Sequence, residues 1–277
     1  MGLRINTNTQ SLAAQRNLGI NYNNQKSSIE KLASGSRIVR SADDAAGLAI
    51  SEKIRGSVRS LRQAIRNSND GISMIQVAEG AMNEVSNILI RFRELSIQGA
   101  SDTIGDTERA FIDKEVQQLK SEIDRVAQST EFNGAKLLNG EGDKVEIQIG
   151  INNNPEQDRF NYDPGKTSVT VDRLGVAGVT TMTKGDSQNN LEMVDNALKL
   201  LVENRAELGA MQNRLQSVVN NGMIYDENLS NARSRIADVD VASETAELAK
   251  QNILTSAGVS VLSQANQNTA YALKLIG

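Results

Sequence analysis

Hydrophobic residues recur at coiled-coil spacing in two long blocks of the chain, roughly residues 1–130 and 187–277. Spacing that alternates between three and four residues places side chains along one face of a helix. The pattern therefore predicts long helices that pack against one another. The positions that carry it are Ile54, Leu61, Ser68, Ile75, Met82 and Leu89, then Ile112, Val116, Leu119, Ile123 and Val126, and in the second block Val194, Leu201, Leu208 and Leu215.

The periodicity changes in the middle of the chain. Four apolar residues alternate with other residues from Val145 to Ile151, as expected of a half-buried strand, and Val169 with Val171 suggests a second strand. The Asn133-Gly134 and Asn139-Gly140 pairs favour turns. These signals predict a small β element between two helical arms.

The predicted fold class is mainly α. We expect a long antiparallel coiled-coil helical rod formed by the N- and C-terminal arms, with a small β-hairpin element in the middle. A single helix over residues 57–99 would be about 65 Å long at ~1.5 Å per residue. A compact chain of this size has a radius of gyration of only about 19 Å.

Composition removes much of the chemistry of enzymes. The 277 residues include no histidine and no cysteine, which excludes disulfides, thiolate nucleophiles, histidine bases and Cys/His zinc sites. The sequence also has no Walker loop, no GxGxxG and no GxSxG. Aromatic residues make up 3% of the chain, which favours thin helix-on-helix packing. We therefore expect a protein that is not an enzyme and has no cofactor or metal.

Charge is unevenly distributed along the chain. Residues 1–100 carry a net charge of +5, residues 101–185 carry −5 and residues 186–277 carry −4. Opposite signs favour association of the two arms, within one molecule or between copies.

A row of arginines, Arg55, Arg59, Arg62 and Arg66, falls on one helix face. It has two interpretations: phosphate binding, as in a nucleic-acid partner, or pairing with acidic helices. Pairing is favoured because no aromatics interleave with the row and the sequence pI is about 5.2. We expect no nucleic-acid partner.

Two acidic clusters also have both a chemical and a structural interpretation. Asp43 and Asp44 would suit acid/base chemistry, but Ser41-Ala42-Asp43-Asp44 fits a helix start, and capping is favoured. The group formed by Asp238, Asp240 and Glu244 resembles part of a calcium loop without its glycine and later glutamate, so metal binding is not expected.

Both ends are poor in charge. Residues 251–273 carry none, but 11 of these 23 residues are Asn, Gln, Ser or Thr, so burial among protein helices is favoured over membrane insertion. The first twelve residues lack the apolar stretch of a secretory signal, so we expect export by another route.

Several long segments resemble bacterial flagellin, the subunit of the flagellar filament. Together with their flanks they cover about residues 1–140 and 187–277. Only about 45 residues separate Asn139 from Gly185, so the chain resembles a short form without large outer domains. The matching segments are RINTNTQSLAAQRNL, LASGSRIVRSADDAAGLAISEKIRG, SNDGISMIQVAEGAMNEVSNIL, RFRELSIQGA, EIDRVAQSTEFNGAKLL and SRIADVDVASETAELAKQNILTSAGVSVLSQANQ.

The resemblance implies a structural subunit that self-assembles into an extracellular filament used for swimming. It also implies export through the flagellar type III apparatus, and an export chaperone, cap and junction proteins as partners. A hook–filament junction protein is the alternative. The implied segments are 1–40, an N-terminal filament-core helix; 41–140, the N-terminal part of a rod domain; 141–186, a short outward-facing β/turn-rich segment; 187–235, the C-terminal part of the rod; and 236–277, a C-terminal filament-core helix.

Candidate residues follow from charge and from the resemblance. In flagellins sensed by the animal Toll-like flagellin receptor, the matching motif implies contacts at Arg91, Leu95 and Glu115. The plain alternative is that Leu95 packs in the seam and Arg91 pairs with an acid on a neighbouring helix or subunit. The self-assembly candidates are Ile5, Leu12, Leu18, Arg55, Arg59, Arg62, Val261, Leu262, Leu273 and Leu275.

Overall fold

The fold is mainly helical, as predicted. The computed structural model describes the backbone of residues 7–276 and the side chains of residues 7–267. The helix considered over residues 57–99 is part of a longer helix that begins at Ala45. The elements are α1 (Thr9–Ser34), α2 (Ala45–Gly99), α3 (Asp106–Ser129), β1 (Glu131–Phe132), β2 (Ala135–Lys136), β3 (Val145–Gln148), β4 (Arg159–Tyr162), α4 (Lys184–Ala237) and α5 (Val241–Ile276).

The β element consists of two antiparallel strand pairs, β1 with β2 and β3 with β4. The prediction of a strand at β3 is confirmed, but it ends at Gln148, before Ile149 and Ile151. The second predicted strand is wrong, because β3 pairs with β4. Val169 and Val171 are instead buried within a loop, where their burial on the core gives the same apolar signal as a strand.

The predicted turn at Asn133-Gly134 is present between β1 and β2. Asn133 has φ 49° and Gly134 has φ 81°. Two consecutive positive φ angles are what a two-residue hairpin turn of type I′ requires, and Asn-Gly is the favoured pair for it. The hairpin therefore follows directly from these two residues.

The chain divides into two compact units, which we call unit 1 (Met1–Val58 with Glu227–Gly277) and unit 2 (Arg59–Asp226). In unit 1, α1 and α5 run antiparallel. Asn8 Nδ2 donates to Ala265 O at 2.9 Å near one end, and Gln25 Nε2 donates to Asn252 Oδ1 at 2.5 Å further along. Side-chain amides thus form hydrogen bonds across the α1–α5 pair, in line with the amide pairing expected of an uncharged helix.

Unit 2 holds the hydrophobic core. The seams of α2, α3 and α4 meet there, together with side chains from the loops around the strands. The predicted seam positions Ile75, Met82 and Leu89 are fully buried. The largest fully buried side chains are Tyr162, Phe92, Ile75, Met82, Leu89, Leu95, Ile123, Leu137, Leu138, Leu201, Leu208 and Leu215.

Carboxylates cap two helices in unit 1. Asp44 Oδ1 accepts from Gly47 N at 2.8 Å and caps α2, so the capping residue is Asp44 and not Ser41. Asp43 accepts from the backbone N–H groups of Arg40 and Val39, and these bonds lower the pKa of its carboxyl group. Asp240 accepts from Ala242 N and caps α5. All three carboxylates therefore stabilise turns and helix starts.

Candidate functional site

Apolar side chains face solvent along both helices of the α1–α5 pair. Leu12 and Val261 are each 58% exposed. Within α1, by contrast, the buried side chains are Ser11 and Ser28. Polar groups thus lie between the helices beside Leu18 and Ala265, while many of the large apolar side chains lie outside. Exposed apolar surface of this kind marks an interaction site. Other exposed members are Ile20, Tyr22, Ile29, Ile253, Leu254 and Val259.

An open groove of about 580 Å³ runs between α1 and α5. Small side chains allow another backbone to approach closely, and the amides in the lining offer hydrogen bonds at its rim. The groove is therefore suited to a further helix. Its lining residues are Gln10, Ala13, Ala14, Asn17, Ser260, Val261, Gln264 and Ala265.

The predicted assembly residues in the helical ends have different environments. Leu12 and Val261 are exposed and available to a neighbour, whereas Leu18 and Leu262 are half-buried. Leu18 is half-buried because its Cδ1 packs close to Gly258 of α5. Ile5 lies outside the described residues, and so do the side chains of Leu273 and Leu275.

The arginine row on α2 is exposed, but its members differ in their contacts. Arg62 pairs with Asp226 of α4 at 3.1 Å, whereas Arg55 pairs with Glu52 of its own helix at 2.6 Å. Arg66 donates to the Gln63 side chain, and Arg59 is exposed. Pairing with an acidic helix thus accounts for Arg62.

The structure brings Arg91 and Glu115 together at the surface of unit 2. Arg91 Nε donates to Glu115 Oε1 at 2.8 Å, and Arg91 Nη1 donates to Glu94 Oε2 at 3.0 Å. These two carboxylates, Glu115 first, raise the pKa of Arg91. The side chains of Arg91 and Glu115 are 47% and 44% exposed. The ion pair is therefore accessible to a partner.

Leu95 does not share that surface. Its side chain is 1% exposed and belongs to the core of unit 2, so it offers no apolar anchor beside Arg91. Residues four apart differ by about 40° around a helix axis. That angle is enough to place Arg91 at the rim and Leu95 in the core. The geometry matches seam packing, the plain interpretation of Leu95.

Sequence reasoning missed the buried charge of Arg109, near the start of α3. The residue is 7% exposed. Its guanidinium donates to Gly99 O at 2.9 Å, to Ser101 O at 2.9 Å and to Asp106 Oδ1 at 2.8 Å. A basic residue in the first turn of a helix opposes the helix dipole. In the sequence, only this unfavourable position in the first turn of α3 indicated that Arg109 has a structural role.

The part of the chain that the structure describes has neither a metal-binding cluster nor a membrane-spanning helix. No group of three or more His, Cys, Asp or Glu side chains there is arranged to hold a metal ion. No described helix is both long and apolar enough to cross a membrane.

Comparison with known proteins matches both ends of the chain to one family. The family model for the bacterial flagellin N-terminal helical region matches residues 5–143, and that for the C-terminal helical region matches residues 191–276. A flagellin of Halalkalibacterium halodurans is 43% identical over 98% of this chain and 99% of its own length. The flagellar filament 30.7 kDa core protein of Treponema maltophilum is 40% identical over 98% of this chain and 99% of its own length.

A solved structure agrees with these matches. The crystal structure of Bacillus cereus flagellin superposes with a TM-score of 0.50 at 29% identity, and the match covers 57% of this chain and 88% of that one. Both family regions are matched, and the relatives align over nearly the whole length. The chain belongs to the bacterial flagellin family.

Proposed function

We propose that this flagellin is a structural subunit of the bacterial flagellar filament and that copies associate through the exposed apolar faces of α1 and α5. The observation that carries the proposal is that apolar side chains such as Leu12 and Val261 face solvent, while Ser11 and Ser28 of α1 are buried. Association removes that apolar area from water, and each Å² of apolar surface buried contributes about 25 cal/mol of favourable free energy.

The low charge of the helical ends supports the same surface. Residues 5–25 include a single charged residue, Arg16, and residues 251–273 include none. Bringing these helices into a shared core therefore involves little desolvation of charge, which is the main cost of burying ionised groups. The role that follows is mechanical and requires no catalysis.

The location and further partners follow from family membership. The filament is an extracellular appendage, and we propose that the chain reaches it through the flagellar type III apparatus. An export chaperone, cap and junction proteins are its expected partners. We also propose that released monomers contact the host Toll-like flagellin receptor through the exposed Arg91–Glu115 pair.

The assembly surface is tested by one charge substitution and a matched control. Val261→Asp introduces a carboxylate into the proposed interface, where its burial costs several kcal/mol. Met182→Asp changes a side chain of similar exposure, 53%, outside α1 and α5. We expect sedimentation and electron microscopy to show filaments from Met182→Asp and none from Val261→Asp. Normal filaments from both variants would contradict the proposal.

Removing about twenty residues from either end gives a broader test of the same surface. We expect a soluble monomer that does not polymerise, because the apolar faces of α1 and α5 are then incomplete. Electron microscopy of the purified wild-type chain distinguishes a filament subunit from a hook–filament junction protein, because a junction protein does not form long filaments alone.

A further inference from the structure

Two helix breaks lie side by side in unit 1. Residues 35–44 connect α1 to α2, and residues 238–240 connect α4 to α5. Gly35 ends α1 in the left-handed conformation with φ 68°. Ser36 and Asp238 form an antiparallel bridge, and Val239 N donates to Gly35 O at 3.1 Å. The two connections are therefore joined by main-chain hydrogen bonds.

Arg37 adds a second link between these connections. Its backbone N donates to Ala237 O at 2.7 Å. Its guanidinium donates to Ile236 O through Nη2 at 2.6 Å and through Nε at 3.1 Å. These carbonyls belong to the last turn of α4, where acceptors lack partners within the helix. A cation at a helix C-terminus also interacts favourably with the helix dipole.

The same guanidinium reaches the start of α2. Arg37 Nη2 lies 3.7 Å from Asp44 Oδ2, and the other oxygen of Asp44 caps α2 through Gly47 N. The cap is closely fitted, because a Cβ at Gly47 would collide with the Asp44 carboxylate and lie 2.9 Å from Ile38 Cδ1. Arg37 thus connects the end of α4 to the capping residue of α2.

We propose that Arg37 is a positioning residue that couples the two helix breaks of unit 1, so that the α1–α2 and α4–α5 connections keep or change their geometry together. The role requires arginine, because its planar group presents several donors in fixed directions, whereas lysine presents one compact ammonium. The inference concerns the single chain and does not depend on filament assembly.

Arg40 provides a matched control on the same connection. Arg40 Nη2 pairs with Glu30 of α1 at 2.6 Å, and both residues belong to the first connection and its preceding helix. Its side chain is exposed, as is that of Arg37. The Arg40 pair is local to one connection, whereas the contacts of Arg37 reach the second.

Hydrogen–deuterium exchange of the full-length soluble chain, read by mass spectrometry, tests the coupling. We expect Arg37→Ala to speed exchange in both 35–47 and 238–243 by roughly tenfold or more, as the loss of hydrogen bonds to a charged group implies. Arg37→Lys should speed exchange at both connections to a smaller extent. For Arg40→Ala, exchange at 238–243 should equal that of the wild type.

Coupling is excluded if Arg37→Ala speeds exchange in 35–47 but leaves 238–243 unchanged. Arg37→Ala could instead unfold the chain, in which case core segments around Leu201 would exchange at the same rate as 238–243. The variant Asp44→Asn then tests the coupling. Asparagine still caps α2 but cannot form the ion pair, so exchange in 238–243 should rise roughly twofold to fivefold while Gly47 stays protected. Wild-type exchange in 238–243 for Asp44→Asn would then overturn the proposal.

Discussion

Gly222 of α4 lies directly against Ile65 of α2. A Cβ at position 222 would come 2.9 Å from Ile65 Cγ1 and 3.2 Å from its Cδ1. The absence of a side chain at Gly222 therefore sets how closely these two antiparallel helices approach. The same helix contains Gly209, where an added Cβ would meet nothing within 4 Å.

This contrast predicts different effects of one substitution at two sites. Gly209→Ala should raise the free energy of unfolding by up to about 1 kcal/mol, because alanine favours helix. Gly222→Ala should be less stable than Gly209→Ala by about 1–3 kcal/mol, because the added methyl group overpacks the contact with Ile65. Urea unfolding monitored by circular dichroism measures both. Equal stability of the two variants would show that the contact with Ile65 accommodates the added methyl group without cost.

Arg109 should be essential for the stability of the α2–α3 connection. Arg109→Leu leaves Gly99 O and Ser101 O without their charged donor, and we expect unfolding to become easier by about 2–4 kcal/mol. Arg125→Leu is the control, because Arg125 pairs with Glu122 on the exposed face of the same helix. Solvent-exposed pairs of this kind contribute little to stability. A similar small loss for both arginines would argue against a structural role for the buried guanidinium.

Tyr162 gives unit 2 a defined sensitivity to alkali. Desolvation by burial raises the pKa of Tyr162 to about 12, while its hydroxyl donates to Leu137 O at 2.7 Å. An unfolded tyrosine ionises near pH 10. Between about pH 10 and 12 the unfolded chain loses this proton and the folded chain keeps it. The free energy of unfolding should then fall by about 1.4 kcal/mol per pH unit.

Tyr162→Phe isolates this contribution, since the other titrating groups are the same in both proteins. We expect the wild type to lose stability more steeply than Tyr162→Phe above pH 10 and in parallel with it below pH 10. Urea unfolding at a series of pH values provides the comparison. Parallel curves above pH 10 would mean that the Tyr162 hydroxyl ionises as easily in the folded protein as in the unfolded chain.

The Arg91–Glu115 pair yields a prediction for host recognition. Arg91→Ala and Glu115→Ala should weaken activation of a receptor-reporter cell by the monomer, because an exposed arginine fork is a frequent binding hot spot. Arg93→Ala is the control: Arg93 has similar exposure, 45%, and pairs with Asp195 of α4 at 2.8 Å. Circular dichroism should be unchanged in all three. A folded wild-type monomer that does not signal at high concentration would end the hypothesis.

The helices and their seams could be predicted from sequence because heptad spacing continues over many turns. Ile75, Met82 and Leu89 are buried as that spacing requires. The pairing of β3 with β4 could not be predicted, because Arg159–Tyr162 is only four residues long and its own sequence does not show which segment it pairs with. A buried loop gives Val169 and Val171 the same apolar signal as a strand.

The candidate surfaces were less predictable than the helices. Sequence spacing placed Arg91 and Leu95 on one side of α2, but the angle that separates a rim position from a core position depends on where α3 lies. Arg109 was missed because its partners are backbone carbonyls, which have no signature in the sequence.

The hydrogen bonds between α1 and α5 fix the register of the two helices but add little to the free energy that holds them together. Groups such as Asn8 and Gln25 bond across the helix pair, but they bond to water almost as well, so each contact adds only about 1 kcal/mol. A slip of one helical turn along α5, however, leaves several of these groups unmatched at once. The two helices therefore separate easily but fit together in only one register. This combination allows the chain to be pulled apart and later to recover the same alignment.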